Sequence, residues 1–598
     1  MTTTRSTPVA VPMVPLLGDP TATPTLAALH RVIVGEHADL HERARALASS
    51  VRDRPVDGVP YPQQASVGPG LLRAAFAGLG MTAGQVYADP ELRGAVCDAA
   101  AVLAPRLMLS WTGHVALTVG AVRRLGNGSS YQRAMLADLD SGAATGVRVH
   151  TELAGTNTAP TLRTLAIWDP RRRGFWLHTT DPDARATDPG AAKFMANAFV
   201  PVKIATIAVR AIIDGRDAGV HLVALRLHTP DGGITSGVRI TALGDKAHSP
   251  MDHAMLSFFG AFVPFDGLLV PGARVVDGTL VLPEDHSAHF AVGAGDFTDG
   301  RLDLGNASIA AARGALAALV SYAHQREVGG VRLIDRDSID EDLATQLGPV
   351  YAATALGRRL RSLRAATMSE PSTSTTDFAL LVMLAKPLLS DIALSAIMTV
   401  HDDTGAHAHL RANRIADLLG GVGSIRTAEG ANRVLRVVAG SRADLRHARL
   451  PGAELSWPGA DMLIAREDGI AADRTAGDLD RLDAAGPEAA AEMAAQATAI
   501  RLAAQAVALD LADTTDPTAR QLLEDVLGEV TLTAILDHGQ WHHEHGHLSQ
   551  EDLSAFRTQR RAHRTRLAAH ARLLTTAFAV PAIPRAPLFS ANYLEEYP

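Results

Sequence analysis

The stretch RTAEGAN, residues 426–432, places one carboxylate, Glu429, at the entry to a segment whose apolar residues have helical spacing. That segment, RVLRVVA, covers residues 433–439, and its pattern predicts an amphipathic helix. Unbonded N–H groups in the first turn of a helix point at negative charge, so a carboxylate there is suited to a site at which negative charge develops. A glutamate that simply stabilises the positive helix end is the commoner reason for such a pattern. The rest of the chain must therefore decide between the two.

The length, net charge and cysteine count of the chain exclude several classes of protein. The chain has 598 residues, a formal net charge of −8 and one cysteine, Cys97. The length predicts about three or four domains, and the small net charge argues against nucleic acid as the main partner. One cysteine excludes an intrachain disulfide framework and favours a reducing cytoplasm. We find no signal-peptide pattern and no uncharged apolar run of about eighteen residues, so a membrane is not expected as a partner.

The order of sequence patterns predicts an α+β multidomain protein. Helical patterns come first, short alternating β-branched runs follow, and long Ala/Leu-rich helical patterns complete the chain. We expect a disordered tail, an N-terminal helical domain, a barrel-like or sandwich-like β-domain and two C-terminal helical-bundle domains. Their expected boundaries are 1–20, 21–147, 148–290, 291–445 and 446–598.

Individual elements are predicted within these regions. Two β-rich runs, 164–168 and 174–178, flank the turn sequence DPRRR and predict a hairpin. Continuous helical patterns predict helices at 27–47, 114–125, 307–325, 342–369, 376–400, 488–512 and 553–577.

A second stretch, HTELAGTN at residues 150–157, favours a functional interpretation of residues 426–432. Together they resemble the two signatures of the acyl-CoA oxidase and acyl-CoA dehydrogenase flavoproteins. In that family a TEL-G--(S/T)N segment touches the flavin, and an (F/Y)EG segment supplies the base that removes an acyl α-proton. The order of predicted domains is similar to the longer, four-domain acyl-CoA oxidases.

The resemblance implies an FAD cofactor and a set of site residues, with Glu429 as the catalytic base and no metal. Gly430 and Asp252 are implied on the substrate side. The residues implied for FAD are Thr151, Glu152, Gly155, Thr156, Asn157, Phe194, Asn197, Arg326, Gly405 and His407. A homodimer is implied as well, because in the family the arginine at the position of Arg326 meets a flavin bound mainly by the neighbouring subunit.

Local alternatives stay open at several of these positions. Residues 155–157 also suit an ordinary Asn/Gly turn, His407 an ordinary loop, and Arg326 a solvated helix end. The sequence departs from the family pattern where alanines replace glycines at 196, 406 and 408, and where Ala428 replaces the aromatic residue before the base. The histidine-rich sequence WHHEHGH at 541–547 lacks the helical spacing of a zinc site, so we expect no metal there.

The resulting hypothesis is an FAD-dependent α,β-dehydrogenation of an acyl thioester, carried by CoA or by a carrier protein. Dioxygen would reoxidise the flavin, giving hydrogen peroxide. Two alternatives remain. The first is a biosynthetic tailoring flavoenzyme of the same fold that acts on a carrier-bound or peptide-derived acyl group. The second is a flavin-free structural or partner subunit.

Overall fold

The chain forms two compact units, each built from segments that are distant in sequence. The computed structural model describes residues 15–51, 59, 61–154, 161–179, 191–229, 231–244, 251–283, 296–369, 378–452 and 455–597. The first unit combines Met1–Pro55, Gly94–Pro105 and Leu304–Pro598, and the second combines Val56–Arg93 and Arg106–Asp303. The expected N-terminal helical domain, 21–147, is therefore divided between the two units.

The second unit holds the predicted β-region as one eight-stranded sheet. Its strands run in the order β1-β5-β2-β3-β8-β4, with β6 paired to β5 and β7 paired to β8. The strands are β1 Thr145–Val149, β2 Leu165–Asp169, β3 Gly174–His178, β4 Lys193–Asn197, β5 Lys203–Ile213, β6 Arg216–Arg226, β7 Val238–Ala242 and β8 His253–Pro264. Their inward side chains form one apolar core that includes Ile207, Leu225 and Phe258.

The predicted hairpin is confirmed, since β2 and β3 pair antiparallel from Leu165–His178 to Asp169–Gly174. The Asp169 carboxylate fixes the turn. It accepts hydrogen bonds from the backbone N–H groups of Arg171 and Arg172 and from Trp176 Nε1, at 2.9, 3.1 and 3.0 Å.

A buried histidine joins the helices of the second unit to the start of β1. His114 lies in the π-helix Thr112–Val119, within the stretch predicted as an α-helix. Its Nδ1 accepts from Gly146 N at 2.8 Å, and its Nε2 donates to Leu139 O at 3.0 Å. Burial lowers the pKa of His114 to about 4, so the ring is neutral. The helices of this unit include Gly68–Leu79, Ala83–Tyr87, Gly120–Leu125 and Ser130–Ser141.

The first unit is helical. Its long helices are Asp296–Gln325 (residues 304–325 belong to this unit), Asp337–Ser369, Phe378–Thr404, Pro487–Asp513, Pro517–Asp537 and Gln550–Ala569. Shorter helices are Pro24–Val34, Ala38–Ser50, Ile415–Ile425, Asn432–Gly440, Ala460–Ala476, Gly539–Glu544 and Ala571–Thr576. The pattern predicted as one helix at 27–47 is two helices, because Gly35 adopts a left-handed φ of 63°.

The long helices are buried, and the predicted α+β class is confirmed. Two helices, Phe297–Gln325 and Phe378–His409, are apolar and long enough to cross a membrane, and their most apolar windows are 94% and 72% buried within the protein. Ion pairs tie other helices together. Arg564 and Arg566 pair with the buried carboxylates Glu529 and Asp525 at 2.9 and 2.6 Å.

Candidate functional site

Two of the segments predicted to touch the flavin lie side by side in the second unit. Phe194 N donates to Thr151 O, and Leu153 N donates to Ala192 O, both at 2.9 Å. Glu152 and Lys193 form an isolated antiparallel bridge between these bonds. The structure therefore joins residues that are about 40 positions apart in sequence into one short two-stranded ribbon.

The Glu152 side chain is the anchor of this ribbon. It is 1% exposed, and its carboxylate accepts from Thr164 N, Thr164 Oγ1 and Arg163 N at 2.8, 2.7 and 2.9 Å. Lys193 Nζ lies 3.0 Å from Oε1. Burial raises the pKa of Glu152, but Lys193 and the hydrogen bonds outweigh burial and lower it. The carboxylate is thus held inside the protein by Thr164, Arg163 and Lys193, and its implied place in the cofactor site stays a prediction.

Three large apolar side chains on and next to the ribbon are exposed. Leu153, Met195 and Phe199 are 46%, 43% and 43% exposed, and clustered apolar exposure of this kind is typical of a binding surface. Asn197 Oδ1 is buried without a hydrogen-bond partner within the described residues. Thr151 and Phe194 are half-buried beside them. Of the other predicted flavin residues here, Gly155, Thr156 and Asn157 lie outside the described part of the chain.

Asp252, implied as a substrate residue, is a buried carboxylate that holds neighbouring backbone in the same unit. It is 7% exposed, and its Oδ2 lies 2.9 Å from Lys203 Nζ and accepts from Val200 N at 3.0 Å. Its backbone carbonyl accepts from Phe199 N at 3.0 Å. These contacts hold the Asp252 side chain in the interior beside residues 199–200, and its implied role in substrate binding stays a prediction.

Glu429 lies in the first unit, in the turn between helices Ile415–Ile425 and Asn432–Gly440. The expected place in the first helical turn is wrong, since the helix begins three residues later. Glu429 has a left-handed φ of 54°, and Gly430 follows with 103°. Asn432 N donates to Arg426 O at 2.9 Å and closes the turn. A non-glycine residue in this conformation is strained, and such strain is concentrated at functional sites.

The Glu429 side chain is half-buried, and its Oε2 is shielded from solvent. A buried lysine holds the turn that carries it. Lys386, 1% exposed in the helix Phe378–Thr404, donates from Nζ to Gly430 O and to Asn432 Oδ1, both at 3.0 Å. A buried ammonium is costly unless it is hydrogen-bonded, so its position here fixes the backbone on both sides of residue 431.

The same turn is anchored to that helix through Asn432. Asn432 Nδ2 donates to Ser390 Oγ and to Asp391 Oδ1, both at 2.9 Å. Asp391 also pairs with Arg426 Nε at 2.6 Å and with Arg436. Charged groups on both sides of Glu429 are therefore connected in one network, which restricts the motion of the turn.

The remaining predicted cofactor residues form a second cluster in the first unit. His407 Nδ1 lies 2.5 Å from Tyr597 Oη, and Asn413 Nδ2 donates to His407 O at 2.8 Å. Arg326 is exposed and donates to Tyr593, which raises the pKa of the guanidinium. Gly405 is exposed with a left-handed φ of 55°. We call Arg326, Gly405, His407, Tyr593 and Tyr597 the tail cluster.

Comparison with known proteins finds similarity in part of the sequence. The acyl-CoA dehydrogenase C-terminal domain family matches residues 290–443. Peroxisomal acyl-coenzyme A oxidase 1 of Arabidopsis thaliana is 25% identical over 344 residues, covering 54% of this chain and 50% of that protein. The chain thus spans about half the length of the curated relatives it matches.

Solved structures match over nearly the whole chain. Acyl-CoA oxidase 1 from Yarrowia lipolytica has a TM-score of 0.77 at 16% identity, covering 95% of this chain and 91% of that one. Acyl-CoA oxidase-2 of Caenorhabditis elegans, bound with FAD, ascaroside-CoA and ATP, has a TM-score of 0.73 at 17% identity, covering 96% and 92%. The chain has the fold of these acyl-CoA oxidases, and its residues 290–443 match the acyl-CoA dehydrogenase C-terminal domain family. The predicted resemblance to the acyl-CoA oxidases and acyl-CoA dehydrogenases is confirmed by these matches, and the family match includes residues 426–432.

The structure also locates the alanines that depart from the superfamily pattern. Ala196 and Ala408 are 3% and 0% exposed, so their methyl groups point into the protein core. Ala406 is exposed. The half-buried Ala428, next to Glu429, is the departure that changes the surroundings of the acid.

Two contributors to the candidate site were missed from the sequence. The first is Lys386, whose signal was a lone lysine before Pro387 in an apolar helix. The second is the tail carrying Tyr593 and Tyr597, for which a Pro-rich sequence gave no signal. Among the described residues, no group of three or more His, Cys, Asp or Glu side chains is arranged to hold a metal ion. In the histidine-rich stretch at 541–547, the rings of Trp541 and His545 stack with their centroids 4.1 Å apart.

Proposed function

We propose that the protein is an FAD-dependent oxidoreductase that introduces an α,β double bond into an acyl thioester. The observation that carries this proposal is the Glu429 turn. It combines a strained, half-buried carboxylate with a buried lysine that fixes the neighbouring backbone. A turn built to restrain one acidic side chain is suited to general-base catalysis, because a base must be held within hydrogen-bond reach of the proton that it removes.

The residues present fit FAD. Leu153 in the ribbon, and Met195 and Phe199 next to it, are exposed apolar side chains that suit a planar ring system, and Asn197 Oδ1 nearby in the chain has no hydrogen-bond partner within the described residues. The tail cluster supplies the exposed Arg326 guanidinium, whose planar fork matches a pyrophosphate. FAD and a CoA thioester are named for the C. elegans oxidase of the same fold, which supports the same ligands for this chain.

In this proposal each described group has one task. Glu429 takes the proton from the acyl α-carbon, and the electrons of that C–H bond form the new double bond. Lys386 and Asn432 keep the carboxylate in place. FAD, when bound, supplies the hydride acceptor for the β-hydrogen. Thr151 and Asn197 offer polar contacts to the cofactor, and Leu153, Met195 and Phe199 exclude water beside it.

We further propose a homodimer, with dioxygen as the final electron acceptor. Val434 and Val438, one turn apart on the helix that follows Glu429, are 54% and 48% exposed, and such an apolar pair suits an interface with a second copy. The acyl-CoA oxidases of the same fold support dioxygen as the acceptor and CoA as the acyl carrier.

A second candidate function rests on Ala428. Ala428 has a smaller side chain than the aromatic residue of the family pattern, and a smaller side chain beside Glu429 would suit an acyl group that is bulkier than a fatty chain, as in a tailoring enzyme acting on a carrier-bound or peptide-derived acyl group. The location in the cytoplasm stays a prediction from the single cysteine.

Anaerobic titration tests these proposals. The full-length protein is incubated with FAD, freed of unbound cofactor, and titrated with acyl-CoAs of increasing chain length while flavin absorbance is recorded. We expect bound flavin and bleaching by at least one acyl-CoA, with recovery of the colour on exposure to air. Bound flavin that no acyl-CoA bleaches, but that an acyl carrier protein thioester does bleach, favours the tailoring function. A protein that does not retain FAD contradicts the proposal.

A further inference from the structure

A small basic cavity lies inside the first unit, away from every residue assigned above. It has a volume of about 50 Å³. The polar side chains that line it are His41, Arg45, Asp98 and Arg313. The rest of the lining is apolar and includes Val34 and Phe578. We call it the basic cavity.

The positive charge in the basic cavity exceeds the negative charge. Asp98, its one carboxylate, already accepts two hydrogen bonds from Arg361, at 3.0 and 2.9 Å. Arg313 is 8% exposed, and the hydrogen bond that its guanidinium makes within the described residues is to Thr354 Oγ1, at 3.1 Å. A guanidinium carries five N–H donors, so most of those on Arg313 are left for another acceptor.

Arg45 adds a second guanidinium to this imbalance, and His41 adds a neutral donor. Arg45 is half-buried, and burial lowers its pKa against the opposing effect of the exposed Glu42 carboxylate. Burial lowers the pKa of Arg313 to about 10, opposed by Asp98 and assisted by Arg361. Burial, together with the neighbouring arginines, holds the pKa of His41 well below its usual value. His41 is therefore a neutral imidazole that can donate one N–H.

Buried charges in proteins are normally paired. Here two guanidinium groups face a cavity with a neutral imidazole and a carboxylate that is already engaged. We propose that the basic cavity binds a small inorganic oxyanion of the phosphate or sulfate class, held by Arg313 and Arg45 with His41 as a further donor. Guanidinium forks match the oxygens of such anions. At about 10–15 Å³ for each water-sized position, the cavity accommodates roughly three to five such positions, which is the size of one tetrahedral oxyanion.

The site links three parts of the chain that are far apart in sequence. His41 and Arg45 lie on the helix Ala38–Ser50, Arg313 on the helix Asp296–Gln325, and Phe578 after the last helix of the chain. An anion bound there stabilises the folded unit over the unfolded chain, by an amount that grows with its concentration. The inference is independent of the flavin chemistry.

Thermal unfolding of the full-length protein tests the inference. Phosphate is titrated against chloride at constant ionic strength. The midpoint temperature should rise with the logarithm of phosphate concentration, and calorimetry should detect binding. Arg313→Met should weaken phosphate binding by roughly ten- to a hundredfold, the effect of losing charge-assisted hydrogen bonds. Without phosphate the same variant should be as stable as the wild type or more so, because an unpaired buried charge is removed.

Arg43→Met is the matched control, since Arg43 lies on the same helix and is exposed. It should keep the full response to phosphate. Arg45→Met carries the test if Arg313→Met does not fold. No response of the wild type to phosphate overturns the proposal, as does an equal response to added chloride. An equal loss of response in Arg43→Met also overturns it.

Discussion

Replacing Lys386 by methionine tests whether the Glu429 turn is held from the neighbouring helix. Met matches the length of the lysine stem but donates no hydrogen bond. The change leaves Gly430 O and Asn432 Oδ1 without the ammonium that now lies 3.0 Å from each. A hydrogen bond from a charged donor contributes about 1.5–3 kcal/mol, so the two together contribute about 3–6 kcal/mol. Relief of the buried charge offsets part of this, and we expect a net loss of about 2–4 kcal/mol, a balance drawn from these two effects.

The effect on turnover should exceed the effect on folding. If the turn relaxes by about 1 Å, the base leaves its reactive geometry, and a misplacement of this size costs on the order of a hundredfold in rate. Urea unfolding followed by circular dichroism measures the first effect. Anaerobic flavin reduction by a bleaching acyl thioester measures the second.

Arg433→Met is the control for Lys386→Met. Arg433 lies on the helix beside the turn and is 84% exposed in its pair with Glu492, so its loss should change stability by less than about 1 kcal/mol. Lys386→Met with the same urea midpoint and the same rate of flavin reduction as the wild type would refute the reasoning.

Three further predictions concern packing and ionisation. Gly440→Ala should destabilise the protein by about 1–3 kcal/mol or more in urea unfolding, since its methyl group would lie 1.8 Å from Ala491 O. Gly423→Ala has open space around the added methyl group and should be neutral or slightly stabilising in the same measurement. Burial lowers the pKa of His114 from 6.5 to about 4, so the unfolded chain takes up a proton at this residue before the folded protein does. The free energy of unfolding of the wild type should therefore fall by about 3 kcal/mol as the pH drops from 6.5 to 4. His114→Gln should lose less over the same range. Burial and two neighbouring aspartates raise the pKa of Asp403 to about 7, so the free energy of unfolding falls as the pH rises through this value. Asp403→Asn should therefore have a higher melting temperature than the wild type above about pH 7, but not in acid.

Elements governed by local chemistry could be predicted from the sequence. The hairpin around Asp169 follows from alternating apolar residues and a turn that its own carboxylate can cap. The long helices follow from Ala/Leu-rich periodicity, and 488–512 differs from Pro487–Asp513 by one residue at each end. Two predictions were less accurate, since the helix predicted at 307–325 begins at Asp296 and the one predicted at 553–577 is divided into Gln550–Ala569 and Ala571–Thr576. The position of Glu429 near a helix could be predicted because the family signature is short and local.

Features that depend on contacts distant in sequence could not be predicted. Glu152 belongs to a recognisable motif, but only the folded chain shows that Thr164 and Lys193 occupy its carboxylate. The π-helix at Thr112–Val119 gave no signal because its spacing differs from the α-helical pattern by only one residue. The division of the N-terminal helices between two units reflects tertiary packing, which periodicity alone does not encode.

The central claim is that the Glu429 carboxylate removes the α-proton of an acyl thioester. Glu429→Gln keeps the size and one oxygen of the side chain but removes its basicity. The direct measurement is the anaerobic rate of flavin bleaching in this variant, with Glu488→Gln, an exposed glutamate of the same unit, as the control. The proposal predicts that Glu429→Gln binds FAD like the wild type and is not bleached by the thioester, while Glu488→Gln is bleached normally. Bleaching of Glu429→Gln at the wild-type rate would contradict it.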